Sequence, residues 1–347
     1  MTATGVPGTL RRTGAALAGG GSGTVYALLA LVFAVVFAIN PSFAQPPSLL
    51  AFAQQAAPLV VLAVGQYLVI VAGELDLSVG SLVGAQVVIA ARLIDGQESA
   101  TLPVLLLMVA FGAAVGLVNG LVTTVLKVPS IIATLGMMLV LYGAVRLWTG
   151  GAPTGALSEA FRTAGRGDAV ELPLLGGVPW ALLIAAAAGA AAVALMRAPQ
   201  GRTLVAVGDN ATAAAFSGAR VWRVRTLAFV GSGVLATLAA ILIGGFAGVT
   251  AQVGEGLEFS AITAVVLGGV VLGGGRGTVV AAIGGALAVE ALFTLFNQLY
   301  LPSTIQPAVQ GLIIIAAVAY ASRERSRRSP RAPADAGGPE KSPREEV

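Results

Sequence analysis

The side chains of this 347-residue chain that are capable of chemistry are few, and several sit inside apolar runs. Glu290 lies deep in one such run; a carboxylate there must face protein, a pore or the interface, or take up a proton. Two readings stand for it, a polar contact between helices or a place on a solute path. Glu74 and Asp76 flank Leu75 in GELDLSVGS, Gly73 to Ser81. Acidic groups just before a helix can satisfy its free N–H groups and are favoured by its dipole, so Asp76 or Ser78 can cap the next span. This stretch reads either as a capped turn at the membrane surface or as a broken helix beside a translocation path. Gln54, Gln55 and Gln66 are too polar for a lipid-facing surface, and Asn297, Gln298, Gln306 and Gln310 lie close enough after Glu290 to be expected near it in space. Catalysis is poorly served. There is no His and no Cys, which excludes imidazole metal sites, thiol chemistry and disulfides, and no base stands beside a nucleophile. Lysine occurs only at Lys127 and Lys341, neither after a glycine-rich loop, so the chain has no Walker motif with which to use ATP itself.

The elements that must hold these groups are membrane helices. Hydrophobic residues make up 56% of the chain and charged residues 10%, and mean hydropathy is +0.89. The apolar runs are too long for barrel strands, so the fold class is all-α, a polytopic membrane protein of about ten spans. A tail at 1–23 carries Arg11 and Arg12, and the first span is expected at Thr24–Ile39, ended by Pro41, Pro46 and Pro47. Ser42-Phe43-Ala44 after it also resembles a small-residue cleavage site, so a cleaved leader is an alternative to an uncleaved first span. Further spans are expected at Leu49–Ala72, Leu77–Leu93, Leu102–Leu126, Pro129–Trp148, Val178–Met196, Thr226–Ala247, Phe259–Leu272, Gly277–Gln298 and Ser303–Ala321, with a disordered tail at 322–347. The eighth is short and glycine-rich at its end, which suggests a distorted or partly re-entrant helix. Gly112, Gly116 and Gly120 at four-residue spacing permit close approach of a neighbour, and Asn119 beside them can bond across that contact. Residues 149–178 are too hydrophilic to span. Lys127, Arg276 and the basic loop before the seventh span lie on one side, mostly acidic loops with Glu255 and Glu258 on the other; both ends are therefore expected in the cytoplasm, in a plasma-membrane protein. The net charge of +4 reports orientation and not nucleic-acid binding. GELDLSVGS and GEGLEFSAI fall on opposite sides in this topology, which leaves open an inverted repeat or a chance likeness.

The loop 197–225 carries Arg197, Arg202, Arg220, Arg223 and Arg225 against the single acid Asp209. Asp209 and Asn210 are good N-caps, Ala211 to Phe216 favours helix, and Gly218 can end it in a left-handed conformation. This predicts a helix of roughly seven residues, about 10 Å long, suited to docking a soluble partner; an ordinary basic loop that only sets topology is the plainer reading.

Four strings in order resemble the permease subunits of ribose-type ATP-binding-cassette importers, the monosaccharide branch. They are GELDLSVGS; GLVNGLVTTVLKVPSIIATLGMM at Gly116–Met138; GRTLVAVGDNATAAAFSGARVWRVR at Gly201–Arg225; and EFSAITAVVLGGVVLGGGRGT at Glu258–Thr278. The resemblance covers about residues 48–321. It implies a coupling helix for a cytoplasmic ATPase, here Asp209, Asn210, Ala214, Phe216, Ser217, Gly218 and Arg220, with Phe216 as the apolar contact. It implies two permease chains, a cytoplasmic ATP-binding subunit and an extracytoplasmic sugar-binding protein. ATP and Mg would belong to the ATPase; no cofactor or metal is expected on this chain, and no enzymatic step. The polar residues expected along the path are Gln66, Asp76, Ser78, Asn119, Thr134, Glu290 and Asn297. Glu74 and Glu290 depart from the family pattern and leave the solute open beyond a pentose or hexose. An ion-coupled secondary transporter, with Glu290 or Asp76 as the proton or sodium site, is the rival reading.

Overall fold

A computed structural model describes residues 22–152, 154–172, 176–250 and 252–328. Most of the two expected tails lies outside these residues. Among the described residues, six helices are long and apolar enough to cross a membrane: α2 (Pro46–Val71), α4 (Glu98–Thr124), α5 (Ser130–Thr149), α7 (Trp180–Arg197), α10 (Val221–Ala247) and α12 (Val279–Gln298). Shorter apolar stretches stand where the first, third, eighth and tenth spans are expected: Gly23–Ile39 in α1 (Ser22–Ile39), α3 (Val79–Ile94), α11 (Leu257–Leu267) and Ile305–Ala316 in α13 (Ile305–Arg328). Proline sets several starts, since its missing N–H is one the first helical turn leaves free anyway; α2 begins Pro46-Pro47 and α5 comes directly after Pro129. The helix α13 runs past the expected end at Ala321 to Arg328.

The core is the crossing of α2 and α10. Gly65 of α2 lies against Ser232 of α10, and Glu74 beyond the end of α2 pairs with Arg225 near the start of α10, so the two run antiparallel. Each is followed by a non-helical stretch and a short helix: α2 by 72–78 and α3, α10 by 248–250 and 252–256 and then α11. The packing repeats in the same way. α2 packs on α11 and α12 as α10 packs on α3 and α4, and α3 packs on α4 and α5 as α11 packs on α12 and α13. Because equivalent helices run in opposite directions, this is an inverted repeat, α2–α5 against α10–α13. The likeness of the two short strings therefore marks equivalent breaks in two halves of one architecture.

Glycines set the closest approach. A Cβ at Gly112 would meet Thr237 and the carbonyl of Gly233, one at Gly116 would enter the backbone of Phe229, and one at Gly120 would meet Thr226, all on α10. The expected four-residue stripe is thus the seam of α4 against α10. Gln86 Nε2 of α3 donates to Thr237 Oγ1 of α10 at 2.9 Å beside it.

Three expectations are completed or corrected. First, the segment 149–178, read only as too hydrophilic to span, has structure of its own. It holds α6 (Glu159–Arg166) and the antiparallel hairpin β1 (Asp168–Leu172) and β2 (Gly176–Pro179), so the described chain is helical apart from this small hairpin and its connecting stretches. The side chain of Ser158 accepts from Phe161 N–H at 3.2 Å and caps α6, and Phe161 is buried. Glu159 is bonded twice by Arg166 Nη2, at 2.8 and 2.7 Å, and that guanidinium holds its carboxyl below the usual range. Second, Glu258 is not in an open loop. It sits in the first turn of α11, 4% exposed, where Gly80 of α3 leaves it room. Third, the side chains after Glu290 do not gather round it. Gln298 accepts from Asn40 at 3.4 Å and Gln310 donates to Ser260 at 2.9 Å.

Candidate functional site

The breaks in the repeat expose backbone groups that a continuous helix would satisfy, and the residues around 72–78 are arranged to satisfy them. Asp76 Oδ1 accepts from the N–H and the Oγ of Ser78, at 3.0 and 2.7 Å, which fixes the residue before α3; neither side chain bonds a free N–H of the first turn, as a cap would. Its Oδ2 accepts from Ser232 Oγ of α10 at 3.1 Å. Asn119 of α4 donates to Ser78 Oγ at 2.8 Å. On the other side of the same stretch, Leu75 N–H donates to Ser130 Oγ at 3.2 Å, and Thr134 Oγ1 lies 3.5 Å from the Leu75 carbonyl, both on α5. Asp76, Ser78, Asn119 and Thr134 are all buried, at 2% exposure or less. Four of the seven residues expected along the path are therefore neighbours around one non-helical segment.

The other three lie elsewhere. Gln66 is fully buried in α2 and neither atom of its amide has a hydrogen-bond partner. Glu290 of α12 accepts from Gln55 Nε2 of α2 at 2.8 Å, beside the small cluster of Val32, Val36, Phe52, Ala56 and Ala291. Asn297 is exposed near the end of α12. Ser130, Ser232 and Arg225 were not among the expected path residues. The only signal for the last two is their spacing: seven residues apart on a helix, they project from one face.

At the same end of the bundle, the loop before α10 folds as two helices and not one. α8 (Pro199–Asp209) starts with Pro199 and ends at Asp209; then Asn210 caps α9 (Ala211–Phe216), accepting from Ala213 N–H at 2.9 Å. Asp209 therefore closes the preceding helix, and Asn210 alone is the cap. The missed signal is Ala198-Pro199, a start at N1. Gly218 has φ +89°, the left-handed stop expected of it. Ala214 is buried and anchors α9, whereas Phe216 is 89% exposed, with Ser217 and Arg220 exposed beside it.

Ten apolar helices among the described residues, in an inverted repeat broken in both halves, with polar groups that hydrogen-bond one another around the break, define a membrane transport permease. Comparison makes the class specific. The chain belongs to the family of permease components of branched-chain amino acid transport systems, whose model matches residues 48–318. It is 36% identical over 302 residues to the autoinducer 2 import system permease protein of Enterobacter sp. strain 638, covering 86% of this chain and 85% of that one. It is 35% identical over 299 residues to the ribose import permease protein of Escherichia coli K12, covering 85% and 91%. The ribose import permease protein of Bacillus subtilis strain 168 is 35% identical over 296 residues, covering 84% and 89%. No solved structure matches the chain. The protein is thus a multi-pass membrane transport subunit.

Proposed function

We propose that this chain is the permease subunit of an ATP-binding-cassette importer and forms the path by which a monosaccharide, a pentose or hexose, enters the cell. An extracytoplasmic binding protein delivers the solute and selects it, and a separate cytoplasmic ATPase with its own ATP and Mg drives the cycle. The likeness to ribose and autoinducer 2 import permeases over most of both chains supports the solute class. The basic loop end, with Lys127, Arg220, Arg223 and Arg225, is taken as cytoplasmic by the positive-inside rule, so α6 and the hairpin face outward. A second permease chain completes the path; among the six long helices α5 is the least covered, with Ile132, Leu139, Val140 and Leu147 exposed.

The single observation that carries the ATPase partnership is Phe216. A large aromatic side chain 89% exposed at the tip of a capped, anchored six-residue helix on a basic loop has the form of a docking contact, not of a core residue. ATP-driven closure of the ATPase would act on α9, and through α8 on the break at 72–78 and the run after α11. The test is co-purification from the native host, with Phe216→Asp and Gly218→Pro as variants. An ATPase should come down with the unaltered chain and be lost from both variants while each still inserts in the membrane. Finding no ATPase, with uptake unchanged in the variants, would sink this reading and leave ion coupling through Glu290 as the alternative.

A further inference from the structure

Arg225 and Ser232 of α10 reach the non-helical stretch after α2 from one helix face. Glu74 and Asp76 are alternate residues of that stretch, and both turn to α10. Arg225 Nη1 lies 2.6 Å from Glu74 Oε1, and Ser232 Oγ donates to Asp76 Oδ2 at 3.1 Å. Leu75 between them bonds to α5 through its backbone. The stretch is therefore stitched to α10 on one side and to α5 on the other, and Glu74 is its outermost stitch.

The docking loop is joined to the same point by backbone. Gly275 N–H, in the irregular run after α11, donates to the carbonyl of Val71 at 2.9 Å. Gly274 and Gly275, with φ +83° and +72°, lie against Gly73 and Asp209, and Gly208 of α8 is packed on Val71 and Gly275 so closely that no Cβ fits. Backbone against backbone has no flexible side chain to yield. A displacement of α8, which leads directly into α9, must therefore move the end of α2 and the run after α11 together.

The Glu74–Arg225 pair has somewhere else to go. It lines a cavity of about 480 Å³ with Lys127, Thr123, Pro129 and Trp222. Lys127 is exposed and makes no ion pair among the described residues. The pair is mostly buried, with side chains 25% and 11% exposed, so Glu74 can leave Arg225 only for another cation, and Lys127 stands on the wall of the same cavity. We propose that Glu74 is a coupling latch: paired with Arg225 it holds the 73–78 stretch against α10 and keeps the path shut, and movement of α9 releases it across the cavity to Lys127. This rests on α9 being the ATPase-docking helix. It makes Glu74 and Arg225 positioning residues, acting on the path through the stretch that carries Asp76 and Ser78.

The chain has no cysteine, so the latch can be locked cleanly. Glu74→Cys with Arg225→Cys, purified with its ATPase and reconstituted in liposomes with the binding protein, is bridged by a short bis-thiosulfonate that reductant removes. Solute uptake and ATP hydrolysis are measured on the same vesicles, with each single cysteine variant as control. Bridging should lower solute moved per ATP about tenfold while the ATPase stays bound, and reductant should restore it. The unbridged Glu74→Arg, Arg225→Glu exchange should keep a ratio nearer to the unaltered chain than Glu74→Gln does. A bridged chain that transports at the unaltered ratio overturns the latch alone. So does a Glu74→Gln variant that loses uptake and ATP hydrolysis in parallel with no recovery in the exchange. Absence of ATP-driven uptake in the unaltered chain sinks the importer reading itself, and the latch with it.

Discussion

Asp76 is the residue on which the local structure turns. Three hydrogen bonds converge on its carboxylate from Ser78 and Ser232, and Asn119 holds Ser78 in place. Asp76→Ala leaves those buried donors unpaired, which costs about 1–3 kcal/mol. We expect a lowered thermal midpoint in detergent, with most of it regained in Asp76→Asn, which keeps an acceptor. Glu290 is a different case. Its one hydrogen-bond partner is Gln55, and it lies apart from the network at the break. Glu290→Gln keeps a polar group there, so uptake should change by less than about twofold; an uptake abolished by that substitution would favour ion coupling. Both carboxylates stood out in the sequence as acids in apolar surroundings. Their different settings did not, because hydrogen-bond partners 156 and 235 residues away leave no local pattern.

The elements were legible where their punctuation is local. The glycine stripe of α4, the Asn210 cap, the Gly218 stop and the short eighth helix all derive from residue type and spacing. The stripe carries a direct prediction. Gly116 faces the backbone of Phe229, so Gly116→Leu should cost about 1–3 kcal/mol or more by forcing α4 from α10, read as loss of folded protein in detergent. Gly136 on α5 meets nothing within 4 Å and Gly136→Ala should be tolerated. The hydrophilic segment 149–178 showed in the sequence only that it is too polar to span. Its helix α6 is held by contacts to the bundle, such as Glu98 accepting from Glu159 N–H at 2.7 Å and Gln54 donating to the Gly165 carbonyl at 2.8 Å. The Glu159–Arg166 pair on α6 is solvent-exposed, and its folded carboxyl is held below the usual value. Its contribution is present above the unfolded pKa and lost as pH falls through the folded one. The difference in thermal midpoint between the unaltered chain and Glu159→Gln should therefore be small at neutral pH and vanish in acid.

At the scale of the molecule, the inverted repeat explains why the breaks come in a pair, of which the one at 72–78 lies against α8. The ends of α2 and α11 meet α8 at Val71, Gly73, Gly208 and Gly274, so the proposed docking helix α9, which follows α8, can address both halves. On the proposed function, the driving force comes from the partner ATPase. Reconstituted alone in liposomes, the chain should not accumulate sugar against a gradient; with its ATPase and binding protein it should, and only while ATP is hydrolysed. Accumulation by the isolated chain under a proton or sodium gradient would contradict the proposed function.

Composition, hydropathy and the order of four short strings were enough to determine a polytopic helical permease, because lipid forces every span to satisfy its own backbone and so to announce itself as an apolar run. The same physics made the helix stops and caps readable, since glycine, proline and asparagine act within one turn. Tertiary structure alone decided which polar residues meet. Asp76 with Ser232, Glu74 with Arg225 and Gly208 with Gly275 are far apart in the chain. The first two pairs are brought together by two antiparallel helices crossing at a glycine and the third by α8 packing on the ends of both halves, contacts that depend on the path of the whole chain and not on any stretch of it.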